Sequence, residues 1–329
     1  MEKKVSVVMC TYNGAKYIRE QLDSIVNQTY PIFEIIIQDD CSTDETVEII
    51  REYAENYPNI YLFQNKKSLG INRNFFSAMN RAQGDYIAIS DQDDIWEKDK
   101  IEVQVKSIGD SWLSSGFSKP FASGENIKIH FDSRLPNCTL ERMVYVGMTP
   151  GHTLLIKKEL LDHIPDLNIW IDLYTYDKLL QIVAASYEKV QFCNKVLVHN
   201  RRHINAATYG PAENYQRTLS NIFHSVNRTY SLYKELRPFM REYFSYTYKF
   251  LSSISAHTIS KENTMKMAYY QSQKSLWAYL RLTIICIQSR NQIFHTKENS
   301  PIIAVLRAIY FPISCCDYFR YKSNKYMKK

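Results

Sequence analysis

The chain has 329 residues, 45% of them hydrophobic, which suits one large domain or one domain with an appended module and does not suit a disordered chain. Nine glycines, with neither a G-x-G-x-x-G nor a G-x-x-x-x-G-K-[ST] segment, argue against a glycine-rich phosphate cradle, and seven scattered cysteines without C-x-x-C spacing argue against a disulfide framework or a zinc site. The net charge of +7 hides a division: residues 1–200 carry 21 Lys+Arg against 28 Asp+Glu, and residues 201–329 carry 20 against 6, so a basic second module is expected to face something anionic.

In chain order, Met1-Glu2-Lys3-Lys4 runs straight into the apolar segment 5–9, too short for a signal peptide and expected as a first strand. Export by that route is therefore not expected, and the cysteines suit a reducing cytosol. Ile18, Leu22, Ile25 and Val26 share one helical face. Glu34-Ile35-Ile36-Ile37 reads as a second strand ending on Asp39-Asp40, and Ser42-Thr43-Asp44-Glu45 has capping-box spacing ahead of a helix with Val47, Ile50 and Ala54. Residues 60–63 read as a third strand, 72–82 as a helix, 85–90 as a fourth strand ending on Asp91-Gln92-Asp93-Asp94, and 98–107 as a further helix. This alternation is the pattern of βαβ units, hence an α/β fold with a largely parallel sheet.

From about 110 to 150 the periodicity fades, and loop with short strands is expected. Residues 153–156 and 195–199 read as strands, 158–163 as a short helix, and 174–185 as a helix with Leu179, Leu180, Ile182 and Val183 inward. Beyond about 205 the chain turns helical, basic and aromatic. Residues 275–287 and 301–316 are strongly apolar, yet Arg281 and Arg307 interrupt them and neither reaches the roughly 20 clean apolar residues of a spanning helix. They read as interfacial, with residues 319–329 adding cations and rings for a headgroup layer.

Carboxylates as close as Asp91, Asp93 and Asp94 repel one another unless a cation or a helix N-terminus offsets them. Asp91 and Asp93, two apart, could hold a hard divalent cation together with substrate phosphate oxygens, or the cluster could simply cap the following helix. Asp39 and Asp40 could bond a nucleobase N–H or a ribose hydroxyl, or cap the next helix. Tyr12 could stack on a base or serve as a turn aromatic beside Asn13-Gly14.

Residues 5–13 (VSVVMCTYN), 37–44 (IQDDCSTD) and 84–96 (GDYIAISDQDDIW) resemble, in order and spacing, the sequential motifs of family 2 glycosyltransferases. The D-Q-D-D-x-W form is similar to that of bacterial enzymes of surface-polysaccharide assembly (capsule or O-antigen), rhamnosyltransferase-like members among them. The likeness covers about the first 205 residues. It implies a GT-A fold, a mixed and mainly parallel sheet between helices, with a nucleoside-diphosphate sugar at the C-terminal strand ends and a divalent cation, Mg²⁺ or Mn²⁺. By position, Thr11-Tyr12-Asn13 would lie along the donor, Tyr12 and Asp40 at the base, and Asp39 and Asp91 at the base and ribose. Asp93 would hold the metal, helped by Asp91 and by His203. Arg73 falls where the family often has a basic residue near the donor, and Cys10 departs from the small hydroxyl or proline common at its position.

The family's general base lies about eighty residues after the metal motif, at a helix start, which points to Asp177, with Asp172 one turn away as the alternative. Dipole complementarity is the plain reading of an Asp there. Asn200-Arg201-Arg202-His203-Ile204-Asn205 resembles the family's closing segment with its asparagine one place early, so Arg201 and His203 could steady the diphosphate or the metal, and His152 could touch the acceptor. The implied activity is inverting transfer of a sugar, hexosyl or deoxyhexosyl in type, to a hydroxyl of a surface glycan that is carried on a lipid. The expected organisation is a catalytic domain over residues 1–205 and a helical module over 206–329 resting on the inner, cytoplasmic face of an anionic membrane. A non-catalytic nucleotide-sugar or glycan-binding protein of the same fold is the alternative; a receiver-like domain lacks its third-strand acid, and no motif organises the basic half for nucleic acid.

Overall fold

The structure, a computed structural model, describes residues 3–124, 127, 129–146, 149–203, 219–294 and 300–319. The chain divides into two compact units: residues 1–133, 149–184 and 189–212 form the first, and residues 134–148, 185–188 and 213–329 the second. The expected junction near residue 205 lies outside the described residues, as do Asn205, Ala206 and the terminal run 320–329.

The first unit is built on one sheet. In chain order its elements are β1 (Val5–Thr11), α1 (Ile18–Val26), β2 (Glu34–Asp39), α2 (Thr46–Asn56), β3 (Ile60–Gln64), α3 (Ile71–Arg81), β4 (Tyr86–Ser90), β5 (Ile95–Trp96), α4 (Lys100–Ser107) and β6 (Leu113–Ala122). After α5 (Leu140–Tyr145), which belongs to the second unit, come β7 (Leu155–Lys157), α6 (Leu167–Trp170), α7 (Tyr176–Ser186) and β8 (Val190–Arg202). The strand order is β3-β2-β1-β4-β7-β6-β8-β5. The β3-β2-β1-β4 half is parallel throughout, whereas β7 joins β4 and β6 antiparallel.

All six residues of β2 and five of β4 are buried, which explains why these strands read as continuous apolar runs: a parallel sheet is covered on both faces. Ile18, Leu22 and Ile25 of α1 pack with Val7, Met9, Ile35 and Ile37 in the core. Each such side chain removed from water is worth about 1.5–3 kcal/mol. The register pairs Thr11 with Asp39 and Met9 with Ser90, so β1, β2 and β4 end together and deliver Tyr12, Asp40 and Asp91 to one sheet edge. Ligands of open α/β sheets bind at such an edge.

Three local expectations are corrected. The capping box does not form: the helix begins at Thr46 rather than after Ser42, the Ser42 hydroxyl is drawn to Asp39 Oδ1 at 2.5 Å, and Asp44 accepts from Thr46 N–H instead. The stretch expected as loop contains β6, ten residues long, whose partner is β8 in parallel. The last strand is 13 residues rather than five. The short helix expected at 158–163 is present, as a 3₁₀ helix.

The second unit is helical: α5, α8 (Leu219–Ser253), α9 (Ile259–Ser272), α10 (Leu276–Gln288), α11 (Arg290–Ile293) and α12 (Pro301–Ser314). Aromatic residues build its interior. Tyr243, Phe244 and Phe250 of α8 are buried, Tyr145 stacks on Phe244 with centroids 4.6 Å apart, and Phe294 meets Phe311 edge-on at 5.4 Å.

Candidate functional site

At the β1 end, backbone geometry and side-chain bonds brace the loops. Asn13 adopts φ 49°, a left-handed conformation that asparagine tolerates, and its Oδ1 accepts from Thr43 N–H at 2.8 Å. Thr11 Oγ1 donates to Asp39 Oδ1 at 2.9 Å, and Asp39, fully buried, also accepts from Ser42 N–H. Asp40 accepts from Asn65, Ser68 and the N–H groups of Leu69 and Gly70 at 2.7–2.9 Å. Burial alone would raise the Asp40 carboxyl, but these donors together hold it below the usual carboxylate range. Gly70, at φ 74° and ψ 162°, occupies a region open essentially only to glycine, and that turn points its N–H at Asp40. Tyr12 keeps 58% of its surface exposed.

The acidic cluster divides in two. Gln92 doubles back, accepting from Tyr12 N–H at 2.9 Å and donating to Tyr12 O at 3.0 Å, so the motif's glutamine ties the β4 end to the β1 end. Asp94 is buried, and its Oδ1 accepts from Arg201 N–H at 2.9 Å. His152 Nδ1 lies 3.0 Å from Asp94 and 3.1 Å from Asp91, and its Nε2 lies 2.8 Å from Ser118 Oγ. Ser118 Oγ donates to Asn200 Oδ1 and also lies against His152 Nε2, while Nδ1 faces the two carboxylates. This setting favours the charged ring. Burial opposes that charge, but Asp94 and Asp91 outweigh it and raise the His152 pKa, while burial raises the carboxyl of Asp94. His152 thus offsets the repulsion that the four-residue cluster creates.

Asp93 stands apart, with Oδ2 3.0 Å from His203 Nε2. β8 carries both Arg201 and the approach to His203, and it is held to the acidic loop because Ile95 of β5 pairs with His199. Arg201 is buried, with its guanidinium 4.5 Å above the Tyr17 ring and 4.7 Å from Phe121 and paired with Glu20 Oε2 at 2.7 Å, while its Nε donates to Asp93 O at 3.0 Å. It braces the acidic loop from behind. Asp91, Asp94 and His152 present ligand atoms within 4.8 Å of one another. Among the described residues these three are the ones so gathered; Asp93 and His203 pair with each other outside that group, and Asp91, whose side chain is 40% exposed, is the member open to a hard cation. Carboxylates plus one imidazole fit Mg²⁺ or Mn²⁺.

The candidate base is set by α3 and α7. Asn72 donates to Ile171 O at 2.8 Å and to Tyr174 O at 2.9 Å and accepts from Tyr176 N–H at 2.9 Å, fixing the entry to α7. Phe75 stacks on Tyr176 at 3.9 Å, and a Cβ on Gly151 would stand 2.3 Å from the Tyr176 hydroxyl. Asp177 accepts from Lys178 N–H and is only partly covered, yet burial, helped by the negative charge of Asp91, raises its carboxyl. Asp172 is exposed and paired with Arg73 at 3.2 Å. Asp94, Gln92 and Asn72 carry no sequence signal of their roles, since each works through contacts more than 50 residues away.

Comparison with known proteins follows this geometry. Residues 6–163 match the glycosyl transferase family 2 model. The Bacillus subtilis protein TuaG, a proposed teichuronic acid biosynthesis glycosyltransferase, is 29% identical over 242 residues, 70% of this chain and 88% of TuaG. The dTDP-rhamnosyl transferase RfbG of Shigella flexneri is 35% identical over 161 residues, 46% of this chain and 55% of RfbG. Among solved structures, S. aureus TarS 1–349 in complex with UDP-GlcNAc superposes with a TM-score of 0.56 at 17% identity, covering 99% of this chain and 92% of that one.

Proposed function

From the match of residues 6–163 to the glycosyl transferase family 2 model and the fold shared with TarS, we propose that the chain is a glycosyltransferase that moves a sugar, with inversion, from a nucleoside diphosphate to a hydroxyl of a surface glycan. The observation that carries this reading is the convergence of Tyr12, Asp91 and Asp93 at one sheet edge, with Asp177 held by the Asn72 clamp.

The exposed Tyr12 ring stacks on the base, and the Asp39 and Asp40 networks shape the base and ribose pocket around Thr11 and Asn13. Arg73 lies toward the donor, and Arg201 holds the loop of Asp93 in place. Asp91, Asp93 and His203 would hold a divalent cation, which would offset the charge of the leaving diphosphate. Asp177 takes the proton of the acceptor hydroxyl as its oxygen bonds to the anomeric carbon and the bond to the diphosphate breaks on the opposite face. A single displacement inverts the configuration, and a raised carboxyl is the stronger base. TuaG and RfbG, named for teichuronic acid and rhamnosyl chemistry, support a hexosyl or deoxyhexosyl donor and a polysaccharide acceptor; we place that acceptor on a lipid at the inner face of the cell membrane. The catalytic module spans residues 1–205, and the basic residues 206–329 face the anionic lipid.

Asp177→Asn is expected to lower transfer by about 10²- to 10⁴-fold while leaving the donor-induced thermal shift intact. Undiminished transfer would assign the base elsewhere. A donor shift with no transfer by the unaltered protein would favour a non-catalytic binding protein.

A further inference from the structure

The second unit leaves an apolar face uncovered. On α10, Leu276 is 74% and Trp277 63% exposed, with Leu280 also exposed, while Ala278, Leu282 and Cys286 point inward. On α12, Ile302 is 72% and Leu306 60% exposed, with Ile303 beside them, while Ala304, Ala308 and Phe311 are buried. The two helices pack on each other. In the first unit, exposed large apolar residues such as Phe33, Tyr61 and Ile169 are scattered over different elements. Contiguous exposure of this kind marks an interaction surface.

Charge and shape identify the occupant. Neither helix carries an acidic residue, and each carries one arginine, Arg281 and Arg307. Both guanidinium groups lie against aromatic rings, Arg281 4.8 Å from Trp277 and Arg307 4.6 Å from Phe294, which suits side chains that bury their stems and hold their charge at a polar boundary. Residues 201–329 as a whole carry 20 Lys+Arg against 6 Asp+Glu. An apolar face on two helices that carry arginine and no acidic residue is complementary to an anionic lipid leaflet.

Pro301–Phe319 is long and apolar enough to cross a bilayer by length and composition, but one side of it is interior to the unit, where Ala308, Phe311, Cys315 and Phe319 are buried. A helix half committed to a protein core has no full circumference to offer lipid tails. We infer that α10 and α12 dock in the plane of an anionic membrane, with Leu276, Trp277, Leu280, Ile302, Ile303 and Leu306 entering the acyl boundary and Arg281 and Arg307 meeting lipid phosphates. This deepens the inner-face placement proposed above and names the residues that achieve it; it does not depend on the donor chemistry.

The test is co-sedimentation of the full chain with phosphatidylcholine vesicles with and without phosphatidylglycerol, beside the double variant Leu280→Glu/Leu306→Glu. Both substituted positions are exposed, so the fold should persist, which the unfolding midpoint checks. The unaltered chain is expected to bind the phosphatidylglycerol vesicles, to be released by salt or alkaline carbonate, and to lose more than about tenfold in partitioning on double substitution. The donor-induced thermal shift should be the same in both proteins, so a failure of the donor reading shows separately. Equal vesicle binding by the variant overturns the inference, as does resistance to carbonate, which would mean a spanning helix. A dimer seen by light scattering that the variant splits, without vesicle binding, would assign the face to a second copy of the chain.

Discussion

Lys100 is fully buried, with its Nζ 3.9 Å from the Trp96 ring and 2.9 Å from Gln104 Oε1, and burial lowers its pKa to about 7. In the unfolded chain it titrates near 10.5. Between those values the unfolded state holds a proton that the folded state lacks, so stability climbs with pH across that window by up to about 1.4 kcal/mol per unit, levels off above it and carries its full penalty below. Lys100→Met is expected to unfold at higher denaturant at pH 7 and to lose this climb, as read by urea melts from pH 7 to 9; an unchanged slope would place the titration elsewhere. No sequence signal marks Lys100 as buried, because burial of a lysine is decided by the strands packed over its helix. The same holds for His152: it was weighed only as an acceptor contact, and its role as counter-charge to Asp91 and Asp94 exists only once β7 brings its turn to β4.

Strands β1 to β4 were legible because each is a short apolar run whose period and flanking turns agree, and parallel strands buried on both faces need little else. Strand β6 was not, since Ser114, Ser115, Gly116, Ser118, Lys119 and Pro120 break any alternation, and its identity as a strand comes from the long ladder to β8. That missed pair matters: β6 supplies Ser118 to His152, and β8 supplies Arg201 to the acidic loop. The Ser42 motif failed as a cap for a related reason, as Asp39 competes for its hydroxyl. Asn72 shows the coupling of elements most clearly, one amide joining α3 to the start of α7. Asn72→Ala leaves three backbone groups without that partner, at a cost of about 1–3 kcal/mol, and is expected to reduce kcat more than tenfold while sparing donor affinity. Loss of donor affinity with kcat unchanged would mean that the clamp serves the donor pocket and not Asp177.

At the scale of the whole molecule, the two units differ in charge as well as in fold. The acidic first unit gathers its carboxylates at one sheet edge, and the basic helical unit has arginine and no acidic residue on the two helices of its apolar face. The charge division was plain from composition, but the inward turn of Tyr243, Phe244 and Phe250 was not, since an aromatic among arginines reads the same whether it faces lipid or a core. The account as a whole depends on the acidic edge holding a cation that receives the donor's diphosphate. Calorimetric titration of UDP-, GDP- and dTDP-sugars into the protein, with Mn²⁺ and then with chelator, tests this directly. The account predicts that Mn²⁺ tightens the preferred donor at least tenfold, about 1.4 kcal/mol, and that Asp93→Ala abolishes the gain. Equal donor affinity in chelator and in Mn²⁺, or a gain that survives Asp93→Ala, would contradict it.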